Sequence, residues 1–157
     1  MSNHKYTVAV DFDGVLHSYS SPWINAHTIP DPPVAGALEW LVRTSGGFAI
    51  AINSTRCKSW RGRRAMRAWL RHHLRSIAKD WDSTPAWWPN YISQFAFADP
   101  WPDEVDFAIT QFLRNVSFPR HKPVALIYLD DRAVRFTGPG SFPSKEAIHR
   151  AKPWNKP

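Results

Sequence analysis

Three short apolar runs stand out along the chain, and polar side chains follow each of them. The runs cover residues 6–10, 48–52 and 124–129, and they are rich in Val, Ile and Ala. Unbroken apolar runs of this length are typical of strands that are buried on both faces of a parallel sheet. We therefore predict three buried strands, and we expect the polar residues behind them to lie at the sheet edge where open α/β proteins bind ligands.

Segments with helical periodicity lie between the predicted strands. Apolar residues recur at intervals of three and four in 33–43, in 59–77 and in 103–114, and the first of these segments ends at a pair of glycines. A brief edge strand at 115–118 and a short helix at 144–150 are also predicted. The order strand, helix, strand indicates parallel βαβ units with right-handed connections.

Other segments have no sustained period and are interpreted as loops or insertions. Residues 17–33 are rich in Ser, Pro, Asn and Asp, and we predict a loop there that passes close to the end of the first strand and is a candidate lid. Residues 80–102 are dense in tryptophan and proline, which favours an irregular insertion. A basic tail occupies 151–157.

Length and charge limit the class of protein. The chain has 157 residues, of which 43% are hydrophobic, so we expect a single domain spanning 1–157. A formal net charge of +7 favours anionic partners such as nucleotides or nucleic acid. The single cysteine, Cys57, excludes an intrachain disulfide, and no apolar run approaches the roughly 20 residues that a membrane span needs. The sequence also has no signal-peptide pattern, and we predict a soluble, cytoplasmic protein.

Candidate chemical groups follow all three strands. Asp11 and Asp13 end the first strand two residues apart, a spacing that points both carboxylates the same way on extended backbone. Gly14 then permits a turn. The full set of candidate site residues is Asp11, Asp13, Ser54, Thr55, Arg56, Lys122, Asp130 and Asp131.

These residues, in this order, resemble the haloacid dehalogenase-like hydrolase superfamily. Its four short motifs are DxDx[TV], a Ser or Thr that ends the second strand, a lysine, and one or two late aspartates. The resemblance covers about residues 5–56 and 120–136. The stretch YLDDRAVRF, closely preceded by KP, is similar to small phage and bacterial members with little or no cap domain, and to the phosphatase half of polynucleotide kinase-phosphatases. The resemblance implies a Rossmann-like three-layer α/β/α sandwich with a mainly parallel central sheet, and a phosphatase.

The two acids of the first motif have distinct expected roles. Phosphoryl transfer needs an in-line nucleophile, and the carboxylate of Asp11 can form an aspartyl-phosphate. A second carboxyl group must protonate the leaving oxygen and then activate the hydrolytic water, and we assign this role to Asp13. Asp13 must be protonated in the first step.

The remaining groups are expected to control charge. Two carboxylates beside a phosphate dianion require a hard cation, and we predict Mg²⁺ bound by Asp11, the backbone carbonyl of Asp13, and Asp130 or Asp131. The choice between the last two stays open, because adjacent residues at a strand end point opposite ways unless the chain turns there.

Substrate contacts are expected from the other motifs. Ser54, or failing it Thr55, would hydrogen-bond a phosphate oxygen, and Lys122 would neutralise the phosphate and place the carboxylate of Asp11. Arg56 is a candidate for a second substrate phosphate, and His17 is a candidate substrate contact.

Three readings of the function remain. The favoured one is a Mg²⁺-dependent phosphatase of nucleotides or phosphorylated nucleic-acid ends. The alternatives are a phosphatase of a small phosphorylated metabolite and a non-catalytic nucleic-acid-binding accessory protein. The basic segment 59–77 is either a solvated helix face or a phosphate-backbone groove, and Trp81, Trp87, Trp88, Tyr91 and Trp101 either stack bases or pack on one another.

Overall fold

The computed structural model describes residues 6–79, 102–133, 135, 137–138 and 143–150. Its strands are β1 (Thr7–Val10), β2 (Ala49–Ile52), β3 (Val116–Ser117) and β4 (Ile127–Leu129). Its α-helices are α1 (Ala37–Ser45), α2 (Trp60–Lys79), α3 (Pro102–Asn115) and α4 (Lys145–Arg150), and a 3₁₀ turn covers Thr55–Lys58. Residues 80–101 of the insertion predicted at 80–102, with its tryptophans, and the tail at 151–157 lie outside the described residues.

The four strands form one parallel sheet in the order β3-β2-β1-β4. Strand β1 therefore lies in the middle, with β2 on one side and β4 on the other. The pairing continues one residue beyond the strands, because the backbone N–H of Asp11 donates to the carbonyl of Leu129 and that of Asn53 donates to the carbonyl of Val10, both at 2.8 Å. The residues that follow β1, β2 and β4 consequently lie side by side at one edge.

The buried core lies between the sheet and the helices. Helix α2 packs against α3, and α1 packs against β2 and α3. Apolar side chains of β1 and β2 are almost fully buried, as the sequence predicted, and so are Phe12 and Leu16 just beyond β1. Burial of this kind stabilises the fold by roughly 25 cal/mol for each Å² of apolar surface removed from water. Strand β1, which carries Asp11 and Asp13 at its end, is thus fixed by pairing with β2 and β4 and by its buried side chains.

The α/β class and the edge position of β3 are confirmed, whereas the prediction of a third buried strand is wrong. Strand β4 is shorter than the apolar run, and its residues Ile127, Tyr128 and Leu129 are 52%, 39% and 40% exposed. Within the described residues β4 pairs only with β1, and it forms the edge of the sheet opposite β3. Among the described helices, none has the length and apolar character needed to cross a membrane.

Candidate active site

A cleft of about 490 Å³ opens at the carboxyl ends of β1, β2 and β4. Side chains from all four sequence motifs line it. Those predicted from the sequence are Asp11, Asp13, Ser54, Thr55, Lys122 and Asp130. The parallel sheet produces this convergence, because it delivers the ends of three separate strands to the same edge.

Three carboxylates meet beside this cleft: Asp11 and Asp130 line it, and Asp131 joins them from outside its lining. Oxygen atoms of Asp11, Asp130 and Asp131 lie within 4.8 Å of one another. The side chain of Asp131 is only 1% exposed, and neither of its oxygens has a hydrogen-bond partner among the described residues. Both late aspartates reach the cluster because the chain turns at 131–132, where the carboxylate of Asp130 accepts the backbone N–H of Arg132 at 2.8 Å. The sequence left open whether Asp130 or Asp131 would bind the cation, and both lie close enough to Asp11 to do so.

Gly14 makes room for Asp131. Its φ of +90° is a conformation that residues with a Cβ rarely adopt. A Cβ at this position would lie 2.5 Å from Oδ2 of Asp131, well inside contact distance. The glycine of the first motif thus serves both the turn after β1 and the approach of the last acid.

The pKa values of Asp11 and Asp131 are raised. Burial is the largest cause, and the charges of Asp130, Asp13 and Asp131 add to it, so that the pKa of Asp11 rises to about 7 even though its carboxylate accepts the N–H of Phe12 at 2.7 Å. Burial also raises the pKa of Asp131, against the opposing effect of Arg132. Ionised carboxylates crowded in this way need a positive charge, and an oxygen-liganded divalent cation fits the donor set.

Asp13 has the opposite surroundings. Its carboxylate accepts hydrogen bonds from Nε of Arg56 at 2.8 and 3.0 Å and from Nδ1 of His17 at 2.9 Å. The backbone N–H of Asp31 donates to Nε2 of His17 at 3.2 Å, so Nδ1 carries the ring proton of a neutral imidazole. Burial raises the pKa of Asp13, but the hydrogen bonds from His17 and Arg56 outweigh it, and the net pKa lies below its ordinary value. This arrangement favours the carboxylate, whereas the acid step requires the protonated form.

Arg56 does not face the cleft, contrary to the prediction that it binds a substrate phosphate. Its side chain is 1% exposed. Besides Asp13, its guanidinium donates from Nη1 to the carbonyls of Asn25, Ala26 and Thr28, each at 3.0 Å. Arg56 therefore ties the acid site to loop 17–33. Successive residues of a 3₁₀ turn point about a third of a revolution apart, so Thr55 faces the cleft while Arg56 faces the interior.

His17 is a positioning residue that the sequence did not identify as such. It is fully buried and does not line the cleft, so the expectation that it contacts substrate is wrong. Its ring stacks on Phe12 at 5.7 Å and meets the edge of Trp69 at the same centroid distance. Trp69 in turn donates from Nε1 to the carbonyl of Asp31 at 3.1 Å. Only a histidine four residues after an acid hinted at this contact in the sequence.

The predicted phosphate ligands lie in the cleft wall. The hydroxyl of Ser54 caps the 3₁₀ turn by accepting the N–H of Arg56 at 3.3 Å. The ammonium of Lys122 lies 4.4 Å from the ring centroid of Tyr128. The rest of the wall consists of Tyr19, Trp23, Asn53, Lys58, Pro119, Arg120, His121 and Arg132. The sequence places Asn53 and Lys58 near this rim, but it does not single out the other six as wall residues.

Three arginines of the basic helix α2 contact other groups of the protein. Arg75 pairs with Asp106 of α3, and Arg71 donates to the hydroxyl of Thr110 at 3.0 Å. Arg63 donates to the carbonyl of Cys57 at 2.7 Å. Exposed ion pairs of this kind fix helix packing more than they add stability.

Comparisons with known proteins add no relative. No model of a known protein family matches the chain, and searches of curated proteins and of solved structures found no match either.

Proposed function

We propose that the chain is a Mg²⁺-dependent phosphatase of the haloacid dehalogenase-like type, with a Rossmann-like α/β/α fold, that acts on nucleotides or phosphorylated nucleic-acid ends through an aspartyl-phosphate. One observation carries the proposal: acids from the ends of β1 and β4 share one cleft with Ser54 and Lys122. The net charge of +7 favours the nucleotide class of substrate.

Mg²⁺ suits the acid cluster. The two buried oxygens of Asp131, which accept no hydrogen bond from the described residues, and the oxygens of Asp11 and Asp130 within 4.8 Å form a hard, anionic donor set. Asp11, Asp130 and Asp131 would hold the cation, together with the carbonyl of Asp13. When bound, the cation neutralises charge on the phosphate and on the attacking carboxylate.

Asp11 is the nucleophile in this proposal. Its carboxylate attacks the phosphorus, the bond to the leaving oxygen breaks, and the phosphoryl group is held as an acyl phosphate until water attacks it. The N–H of Phe12, 2.7 Å from one oxygen of Asp11, fixes the orientation of the carboxylate. Lys122 neutralises the phosphate, and the hydroxyl of Ser54 donates to one of its oxygens.

Asp13 moves the protons. In the second step its ionised carboxylate takes a proton from the hydrolytic water, and its lowered pKa keeps it in the ionised form that a base must have. In the first step it gives a proton to the leaving oxygen. The negative charge of the bound phosphate raises the pKa of the neighbouring carboxyl group, so Asp13 takes up that proton as substrate binds. Arg56 and His17 hold the carboxylate in place throughout.

The test is phosphate release from nucleotides, 5′- and 3′-phosphorylated oligonucleotides, sugar phosphates and an aryl phosphate. We expect release with Mg²⁺, none with EDTA, and a loss of at least about 10³-fold in Asp11→Asn, because no nucleophile remains. Asp106→Asn, which changes a carboxylate on α3, is the matched control and should retain activity. Equal release by wild type and Asp11→Asn on every substrate would refute the proposal.

A further inference from the structure

Trp23 is an exposed aromatic side chain in the wall of the acid cleft. It is 46% exposed and lines the same cleft as Asp11 and Lys58. An exposed tryptophan leaves a large apolar surface in contact with water. When it lies in a cleft of charged groups, its planar face is available to a ligand.

The orientation of this ring is fixed from behind. The guanidinium carbon of Arg56 lies over the ring of Trp23 at 4.4 Å from its centroid. Arg56 is itself buried and is held by the carboxylate of Asp13 and by the loop carbonyls of Asn25 and Ala26. A cation stacked on one face of a tryptophan attracts it most strongly when the cation is shielded from water, as it is here. One face of the ring is therefore occupied by the protein, and the side chain cannot turn without losing that contact.

The rest of the wall is suited to an anion. Lys58, Arg120, His121 and Arg132 line the cleft in addition to Lys122. One phosphate monoester that contacts Lys122 and a divalent cation does not require the additional positive charges of Lys58 and Arg120. A ligand that satisfies both the cations and the aromatic face carries phosphate and a planar ring, and nucleotides combine the two.

We propose that Trp23 is the platform on which the base of a nucleotide substrate stacks, with Arg56 holding the platform at a fixed position relative to Asp13. This inference rests on the proposed function and deepens it, because it makes the base a determinant of specificity. Arg56 contacts both the proton-transferring carboxylate of Asp13 and the base-binding ring of Trp23. It therefore fixes the position of the base relative to the carboxylate that acts on the reacting phosphate.

The experiment compares two ligands that differ only in the base. Binding of adenosine 5′-monophosphate and of ribose 5-phosphate is measured by calorimetry with Mg²⁺ in the Asp11→Asn background, and hydrolysis of both is measured in the active protein. Trp23→Leu keeps apolar cover over Arg56 but removes the stacking face, whereas Trp23→Phe keeps a smaller face. Circular dichroism verifies that each variant is folded.

We expect adenosine monophosphate to bind about tenfold more tightly than ribose phosphate, since stacking of a base on an aromatic side chain gives roughly 5- to 150-fold in affinity. Trp23→Leu should abolish this preference, Trp23→Phe should keep most of it, and neither should alter the affinity for ribose phosphate. Equal affinity for the two ligands in the parent protein, binding of neither, or an unchanged preference in Trp23→Leu would overturn the inference. Binding with the expected preference but without hydrolysis of any phosphate would instead refute the phosphatase activity and leave the platform standing.

Discussion

Asp13 and Asp131 are two carboxylates of the candidate site with opposite surroundings. Asp13 accepts hydrogen bonds from two side chains, Arg56 and His17, and its pKa is lowered. Asp131 is buried without a hydrogen-bond partner among the described residues, close to two further acids, and its pKa is raised. A buried polar group normally has its partners within the protein, and one that lacks them costs stability.

The two carboxylates differ in what holds them. The protein itself supplies everything that fixes Asp13, so this carboxylate is ready for a task that depends on exact position. Asp131 has an ion pair at 3.8 Å with the exposed guanidinium of Arg132 and accepts no hydrogen bond from the described residues, so a bound cation can compensate its charge further. Removal of the Asp13 carboxylate should therefore destabilise the metal-free protein, whereas removal of the Asp131 carboxylate should not.

The largest expected effect follows from Asp13→Ala. This change leaves the guanidinium of Arg56 buried beside three carbonyls without its counter-ion, and loss of one partner of a buried pair costs about 3–5 kcal/mol. Asp131→Ala should leave the free energy of unfolding unchanged or raise it, since it relieves repulsion within the acid cluster. Urea unfolding in EDTA measures both.

Asp13→Asn provides the matched control, because it retains the size and one accepting oxygen. It should lose less stability than Asp13→Ala. Similar losses in Asp13→Ala and Asp131→Ala would show that the two carboxylates do not differ in the way that their contacts indicate.

The sequence predicted where the acids at the ends of β1 and β4 lie. Apolar runs identify the strands, and parallel topology brings their ends together, so the positions of Asp11 and Asp130 follow from local pattern and a general rule. The direction of the Arg56 side chain could not be predicted in this way. Its direction depends on a 3₁₀ turn after Ser54 and on carbonyls of loop 17–33, which no periodicity reveals.

A second prediction concerns the room that Asp131 needs. Gly14→Ala places a Cβ 2.5 Å from Oδ2 of Asp131 and also requires a rare positive φ, so we expect a loss of about 2–3 kcal/mol in the free energy of unfolding. The double variant Gly14→Ala/Asp131→Ala removes the clash and retains the backbone strain. It should recover part of the loss, and a double-mutant cycle measures the coupling.

Gly36 supplies the control for backbone strain alone. It too has a positive φ, of +77°, but a Cβ there would meet nothing within 4 Å. Gly36→Ala should therefore cost less than Gly14→Ala, and its cost should not change when Asp131 is replaced. Coupling of equal size at both glycines would mean that contact with Asp131 is not the cause.

The exposure of β4 is the other feature that the sequence could not supply. An apolar run indicates a strand, but its burial depends on what lies beside and above it, and only the strand order places Tyr128 at an edge. The role of His17 was similarly hidden, because its partner Asp31 follows fourteen residues later across a loop.

The smallest effect is a pH dependence of cation binding, and it tests the charge of the acid cluster directly. Since the pKa of Asp11 in the metal-free protein is raised to about 7, a proton occupies the cluster below that pH and must leave when Mg²⁺ binds. Affinity for Mg²⁺ should therefore rise with pH by up to about tenfold per unit below 7 and level off above it. Calorimetry between pH 5.5 and 8.5, in buffers of differing ionisation enthalpy, measures both the affinity and the released proton.

In Asp11→Asn the proton release should disappear while weak binding remains, because the carboxylates of Asp130 and Asp131 are still present. Binding that ignores pH in the parent protein would show that the three carboxylates are not coupled, and the contrast with Asp13 would then rest on hydrogen bonds alone.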